Sequence, residues 1–394
     1  MAISRPADVA YRRVVALTAA LFISYLAVAM SLPVVAIHVV HGLRLDNAWA
    51  GLAVGIAFFS TVLTRAWAGA WADRLGGKPC MRRGLLVYAA AGLICLLSAA
   101  PGLSAPAALT ILLAGRLLLG LGESLTMVGM IGWGIGLMGV PRSGRVMALV
   151  GMGMYGAFAA GGPLGLALLH QAGFGGVMAL TILLPLAGLG AIAAIPGVAP
   201  HAGQRESYWR ILGRIWRMGA AVGLQGVGFA ALGAFFALYV ASRGWPYGGL
   251  GLTGFGLGFV LVRLLCGHLP DRIGGTPVAI VSLAVEACGQ LLIWQATDPL
   301  LALAGAVLTG LGCSMVFPAM GAEVVKQVAP HQRGTAIGGF AAFQDIAYGC
   351  TGPVVGLLAD HAGYGPVFLI GAIAAGLGLV MAVSAHRLAR AQAA

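Results

Sequence analysis

The chain has 394 residues, of which 60% are hydrophobic and only 9% charged, against roughly 25% charged residues in a soluble domain. That inventory cannot wet a globular surface and points to a membrane-embedded protein, not a soluble enzyme. The net charge of +12 by itself suits nucleic acid, but the basic residues gather in alternate loops, as expected of cytoplasmic loops in a membrane chain, so nucleic acid is not an expected partner.

In chain order, apolar runs of about 20 residues or more, each long enough to cross a bilayer as a helix, predict twelve spans. They fall at roughly 14–40, 49–71, 84–100, 108–138, 146–170 and 176–196, then 213–241, 250–269, 278–296, 300–325, 335–359 and 366–386. The first run follows Arg5, Arg12 and Arg13 but lacks an A-x-A exit, so it reads as a retained helix and not a cleaved leader. Arg74, Lys78, Arg82 and Arg83, then Arg142 and Arg145, Arg205, Arg210, Arg214 and Arg217, Arg272, Lys326 and Arg333, and Arg387 and Arg390 mark one side; Arg44 and Arg243 are the basic residues of the other. An even number of spans puts both termini on the cytoplasmic side. The single Asn, two Lys and abundance of Ala, Gly and Arg suggest a bacterial chain of the inner membrane. Residues 1–196 and 213–394 form two six-helix halves joined by a cytoplasmic linker, 197–212, with a short amphipathic helix expected around Tyr208-Trp209-Arg210.

The halves repeat. Thr64–Pro79 reads T-R-A-W-A-G-A-W-A-D-R-L-G-G-K-P, and Val262–Pro277, 198 residues later, reads V-R-L-L-C-G-H-L-P-D-R-I-G-G-T-P. A second match at an offset of 190 relates Gly120-Leu121-Gly122-x-Ser124 to Gly310-Leu311-Gly312-x-Ser314. A duplicated apolar chain of this kind has the organisation of a two-bundle transporter. Gly76 and Gly77 are expected to make the tight reversal with positive φ.

The segment Gly69-x-x-x-Asp73-Arg74-x-Gly76-Gly77-Lys78 resembles the signature loop of the major facilitator superfamily. Gly77 stands where that family usually carries a basic residue. The resemblance implies an all-α membrane protein with two pseudo-symmetric six-helix bundles that moves a small molecule by alternating access. It implies a cytoplasmic latch in Asp73, Arg74, Asp271 and Arg272, with Arg65 and Arg263 anchored in the same network. More narrowly, G-R-L-L-L-G-L-G-E-S (115–124) with P-R-S-G-R-V-M-A (141–148) resembles the YhhS/YfcJ group of bacterial exporters. Arg116 falls at the arginine position of the drug:proton antiporter branch, whose span-five motif is only partly present as Gly161-Gly162-Pro163-Leu164-Gly165.

Arg116 and Glu123 lie seven residues apart, on one helix face and about 10.5 Å apart along the axis. Both are costly in hydrocarbon and should face the interior, either as proton or substrate groups or as static members of an interhelical ion pair. Asp345, beside Gln344 in the middle of span eleven, could take a proton, bind a cationic or hydroxyl-rich substrate, or pair with Arg116. Tyr25, Gln225, Phe229, Tyr239, Trp133 and Phe317 are expected to line a cavity suited to an amphipathic small molecule. Glu286 and Gln290 are expected to form a packing hydrogen-bond pair, and Glu323 and Lys326 an ion pair. The six cysteines show no ligand spacing, and no P-loop is present. Neither enzyme activity, a cofactor nor a metal is therefore expected, and the partners are a small-molecule substrate, protons and the lipid bilayer around a monomer. The leading expectation is proton-coupled efflux of a sugar, drug or metabolite. Proton-coupled uptake of a sugar or organic acid, or a non-transporting receptor or scaffold, are the alternatives.

Overall fold

The computed structural model describes residues 6–139, 142–199, 208–328 and 333–393, and every regular element among them is helical. The elements are α1 (Pro6–Ile37, prolonged by a π-helical turn, His38–Gly42), α2 (Asn47–Leu75), α3 (Gly77–Leu97), α4 (Ala105–Met138), α5 (Ser143–Ile192) and α6 (Tyr208–Ser242). They continue with α7 (Leu250–Cys266), α8 (Leu269–Ile273), α9 (Gly275–Trp294), α10 (Pro299–Lys326), α11 (Arg333–Ala362) and α12 (Gly365–Ala393). Among the described residues nine helices are long and apolar enough to cross a membrane, and Leu250–Cys266 is a shorter apolar one.

Three boundaries differ from the sequence expectation. Spans five and six run together in α5 and are separated by one residue, Gly173, whose φ of 67° and ψ of −174° break the helix. Tyr208-Trp209-Arg210 opens the long helix α6 and forms no separate amphipathic helix; residues 200–207 of the expected linker lie outside the described residues. The second copy of the signature turn is carried on the separate short helix α8. Two short connections follow from capping chemistry. Ser104 accepts a hydrogen bond from Ala107 N–H at 3.4 Å, and Asp298 Oδ1 accepts from Leu300 and Leu301 N–H, both at 3.0 Å, each helix starting with a proline in its first turn.

The chain divides into two compact units, Met1–Val34 with Ser60–Gly203, and Val35–Phe59 with Gln204–Ala394. The C-terminal end of α1 and the first part of α2 therefore group with the second half of the sequence. In the first unit Ala68, Cys80 and Leu125 bury together under Trp71, Val87 and Leu121. In the second, Ile215, Met218, Val222, Leu283, Val316, Met320 and Phe340 form a core between α6, α9, α10 and α11.

The duplication is visible inside each unit. Ser124 Oγ donates to Thr61 O at 3.0 Å, and Ser314 Oγ donates to Phe259 O at 2.7 Å, residues related by the offsets of 190 and 198. The paired signature turns match as well. Gly76 and Gly274 take φ of 86° and 93°, a region that L side chains avoid. Gly77 and Gly275, expected to share that role, instead begin α3 and α9. A Cβ on Gly77 would stand 2.6 Å from Gly129 O and Trp133 N, and one on Gly275 would run into Ala319 O and Glu323 Oε1. Gly129 and Trp133 correspond to Ala319 and Glu323 at the same offset of 190. The first glycine of each pair turns the chain, and the second lets two helices touch.

Candidate functional site

The first unit holds both charged residues of α4 against α1. Arg116 and Glu123 are 1% and 5% exposed. The two-turn spacing on α4 meets a six-residue spacing on α1. Tyr25 Oη donates to Glu123 Oε1 at 2.6 Å, and Arg116 Nη1 donates to Ser31 Oγ at 2.9 Å, whose hydroxyl in turn donates to Val28 O at 2.7 Å. Tyr25 is itself fixed by the edge of Phe158, with ring centroids 6.1 Å apart. Tyr88, buried on α3, lies near Tyr25 and Glu123, and its hydroxyl has no hydrogen-bond partner among the described residues.

The distance between Tyr25 and Glu123 is that of an O–H to a carboxylate. A phenol can donate to the ionised carboxylate or accept from the protonated acid, so the pair suits a carboxyl in either protonation state. Tyr25 thus faces Glu123 directly, a pairing that the 98 residues between them hide from the sequence.

In the second unit Gln344 Nε2 donates to Gln225 Oε1 at 2.8 Å, joining α11 to α6. Asp345, next in sequence, is 7% exposed. Phe229 packs between Phe255 and Tyr348, with centroids 5.1 and 5.0 Å away, and Phe58 stands 5.0 Å from Tyr348. Phe317 packs on Phe340 at 4.9 Å. Gln225, Gln344, Phe229 and Tyr348 therefore come together.

Two further aromatic residues are engaged elsewhere. Tyr239 donates to Ile293 O of α9 at 3.1 Å and lies against Phe368 of α12, with Arg243 5.7 Å above its ring. Trp133, with no exposed surface, donates from Nε1 to Pro196 O at 2.9 Å. Lys78 sits 5.7 Å over the Trp133 ring and donates to Ala193 O and Ile195 O at 2.9 and 2.6 Å, closing the carbonyl end of α5.

At the arginine-rich ends, Arg74 and Arg272 are exposed and Arg65 is half-buried. The side chains of Asp73 and Asp271 lie outside the described residues. Arg263 donates from Nη2 to Ser314 O at 2.9 Å, with its guanidinium 5.0 Å over Phe259. The expected ion pair of Glu323 with Lys326 forms at 2.9 Å, and the same carboxylate caps α9 by accepting from Gly275 N–H at 2.9 Å. The expected Glu286–Gln290 pair does not form. Gln290 donates instead to Gly228 O at 3.2 Å and to Thr309 Oγ1 at 3.3 Å, because Gly228 brings the α6 backbone against both side chains.

A duplicated set of apolar helices, with charged side chains held inside each unit, has the layout of a multi-pass membrane transporter. The chain belongs to the Major Facilitator Superfamily, whose family model matches residues 17–254 and 218–393. It is 44% identical, over 92% of its length and 93% of the relative's, to an uncharacterized MFS-type transporter of Salmonella typhimurium. It is 38% identical, over 94% and 91% of the two chains, to an MFS-type transporter of Burkholderia pseudomallei. Among solved structures the nucleoside transporter NupG superposes with a TM-score of 0.75, covering 95% of this chain and 99% of that one at 14% identity, a likeness of fold.

Proposed function

We propose that this chain is a proton-coupled secondary transporter that exports a small organic molecule across the bacterial inner membrane by alternating access, its arginine-rich ends on the cytoplasmic side. The observation that carries this reading is the buried Glu123, held by Tyr25 at 2.6 Å on the same helix as the buried Arg116. Charge is costly at that depth, and intramembrane ionisable residues mark ion or substrate pathways. Glu123 is the proton carrier, Arg116 the cation two turns away on the same helix, and Tyr25 the partner that accommodates both states. Gln225, Gln344 and Asp345 contact the polar part of the substrate, and Phe229 and Tyr348 its apolar part. Asp73-Arg74 and Asp271-Arg272 act as the cytoplasmic latch. Export follows from the resemblance of residues 115–124 and 141–148 to bacterial exporters. A sugar, nucleoside, drug or metabolite carrying both polar and apolar faces fits these residues.

The test is uptake into inside-out vesicles or proteoliposomes under an imposed pH gradient, across a panel of labelled sugars, nucleosides and amphipathic drugs. The wild-type chain should accumulate a panel member only with the gradient. Glu123→Gln should abolish gradient-driven accumulation while leaving exchange. Accumulation by Glu123→Gln equal to that of wild type would remove Glu123 from coupling, and silence of wild type across the panel would favour a receptor or scaffold.

A further inference from the structure

Glu286 sits in the middle of α9 with none of its surface exposed. Gly312 of α10 lets that helix press on the Glu286 backbone, where a Cβ would stand 2.7 Å from the Glu286 Cα. Gly228 of α6 lies against the carboxyl, where a Cβ would stand 2.7 Å from Oε1. In this enclosure neither carboxyl oxygen has a hydrogen-bond partner among the described residues. Gln290, one turn further on, spends its amide hydrogens on Gly228 O and Thr309 Oγ1, and its own oxygen, also unmatched, lies against Gly371 of α12.

The group that faces the carboxyl is the thiol of Cys313 on α10. That thiol also faces the amide of Gln225, and Gln225 accepts from Gln344 at 2.8 Å. Gln225 and Gln344 join α6 to α11 by a hydrogen bond, with Cys313 of α10 close to Gln225 and to Glu286. Among the described residues Cys313 is the titratable group facing Glu286. Otherwise α6 presents Gly228 and Gln225, α12 presents Gly371, and α9 itself presents Gln290; none of these is a cation.

The repeat sharpens this. The offset of 198 that relates the signature turns sets Tyr88 opposite Glu286, and the offset of 190 sets Glu123 opposite Cys313. In the first unit Tyr25 and Tyr88 surround Glu123; in the second Gln225 and Glu286 surround Cys313. Each unit therefore keeps one buried carboxyl at the same helix crossing, but on opposite helices. Glu123 has a hydroxyl donor and an arginine on its own helix. Glu286 has neither, so an ionised carboxylate there would be buried bare, and the group is neutral in this conformation.

We propose that Glu286 is a second proton-binding site, occupied in this conformation and emptied when α6 moves away from it. The step is an acid dissociation. The O–H bond of the Glu286 carboxyl breaks, its electron pair stays on the carboxylate, and the proton passes to water admitted beside Gly228. This site stands whether or not Glu123 carries a proton.

The test is infrared difference spectroscopy of the full chain in proteoliposomes, following the C=O stretch of protonated carboxyls through a pH titration in potassium chloride. A band that is lost as pH rises is expected in wild type and in Glu123→Gln, and is expected to be missing in Glu286→Gln. Cys313→Ala, which keeps the carboxyl, should retain the band with a shifted frequency and a shifted midpoint. A band that stays constant until the protein unfolds would overturn the proposal, as would titrating bands unchanged in Glu286→Gln. Loss of the band at fixed pH on replacing potassium by sodium would overturn it too, by making this a sodium site. If Glu286→Gln does not fold, Cys313→Ala decides, and a band unshifted in that variant would overturn the assignment of the proton to Glu286.

Discussion

Asp360, near the end of α11, accepts three hydrogen bonds from the first turn of α2. Oδ1 takes the Asn47 backbone N–H at 2.8 Å and its Nδ2 at 2.7 Å, and Oδ2 takes Ala48 N–H at 3.1 Å. Tyr364 completes the arrangement by donating to Asn47 Oδ1 at 2.8 Å. Burial raises the pKa of this phenol, the hydrogen bond to Asn47 works in the opposite direction, and the Asp360 carboxylate adds to the rise, so Tyr364 remains a donor at neutral pH. A helix start leaves backbone N–H groups without partners, and here a carboxylate from a helix more than 300 residues away supplies the cap.

Asp360→Ala should lower the thermal midpoint in detergent by an amount equivalent to about 2 kcal/mol, the scale of a lost charged cap. Asp360→Asn keeps one acceptor and should lose roughly half as much. Thermal unfolding of the purified chain measures both. Two variants that melt like wild type would show that the cap contributes nothing.

Below that cap α2 and α11 approach through glycines. A Cβ on Gly55 would stand 2.5 Å from Gly349 O, and one on Gly352 would stand 3.1 Å from the Gly51 Cα and closer still to its carbonyl. Gly352→Ala should therefore cost about 1–3 kcal/mol by overpacking. Gly376→Ala on α12, where nothing lies within 4 Å, should be neutral or stabilising by up to about 1 kcal/mol. Comparable melting of the two variants would deny the close crossing.

The spans and their duplication were legible because hydropathy and short repeats are local properties. The turn at Gly76 was legible for the same reason. The role of Gly77 was not, since its neighbours Gly129 and Trp133 belong to another helix. The break at Gly173 is hidden in the sequence because the apolar runs 146–170 and 176–196 leave a five-residue gap and do not show how abruptly a single glycine can end a helix. Arg116 and Glu123 could be placed inside from the cost of charge in hydrocarbon, but Ser31 and Tyr25 could not be assigned to them without the packing of α1 on α4. The Glu286–Gln290 expectation rested on helical spacing alone; Gly228 and Thr309 compete for the amide, and only the three-dimensional neighbourhood reveals them. The offsets of 198 and 190 pair Tyr88 with Glu286 and Glu123 with Cys313, but that Glu286 meets Cys313 needs the packing of α9 on α10.

Tyr25→Phe removes the donor to Glu123 and leaves the carboxylate short of a buried partner, at a cost of about 1–3 kcal/mol. Glu123→Gln keeps a group that can pair with the phenol and should cost less. The double variant should be less destabilised than the sum of the two, because both act on one bond. Thermal unfolding of all four proteins gives the coupling directly; strictly additive losses would mean that the 2.6 Å contact carries no energy.

The three glycines of the signature turn should respond to alanine in three ways, since each is a glycine for a different reason. Gly69 lies within α2 with nothing among the described residues inside 4 Å of a Cβ, so Gly69→Ala should stabilise by about 0.5–1 kcal/mol through helix propensity. Gly76 has φ 86° and ψ 162°, a conformation costing other residues about 1–3 kcal/mol. Gly76→Ala should lose that amount, and Gly274→Ala, at φ 93° and ψ 153°, should lose a similar one. Gly77→Ala meets the α4 backbone at 2.6 Å, where no rotamer change gives relief, so it should be the least stable of the set. Thermal midpoints of the four variants provide the check. If Gly76→Ala proves harmless while Gly77→Ala does not, close helix contact, and not the reversal of the chain, is what requires the glycine pair.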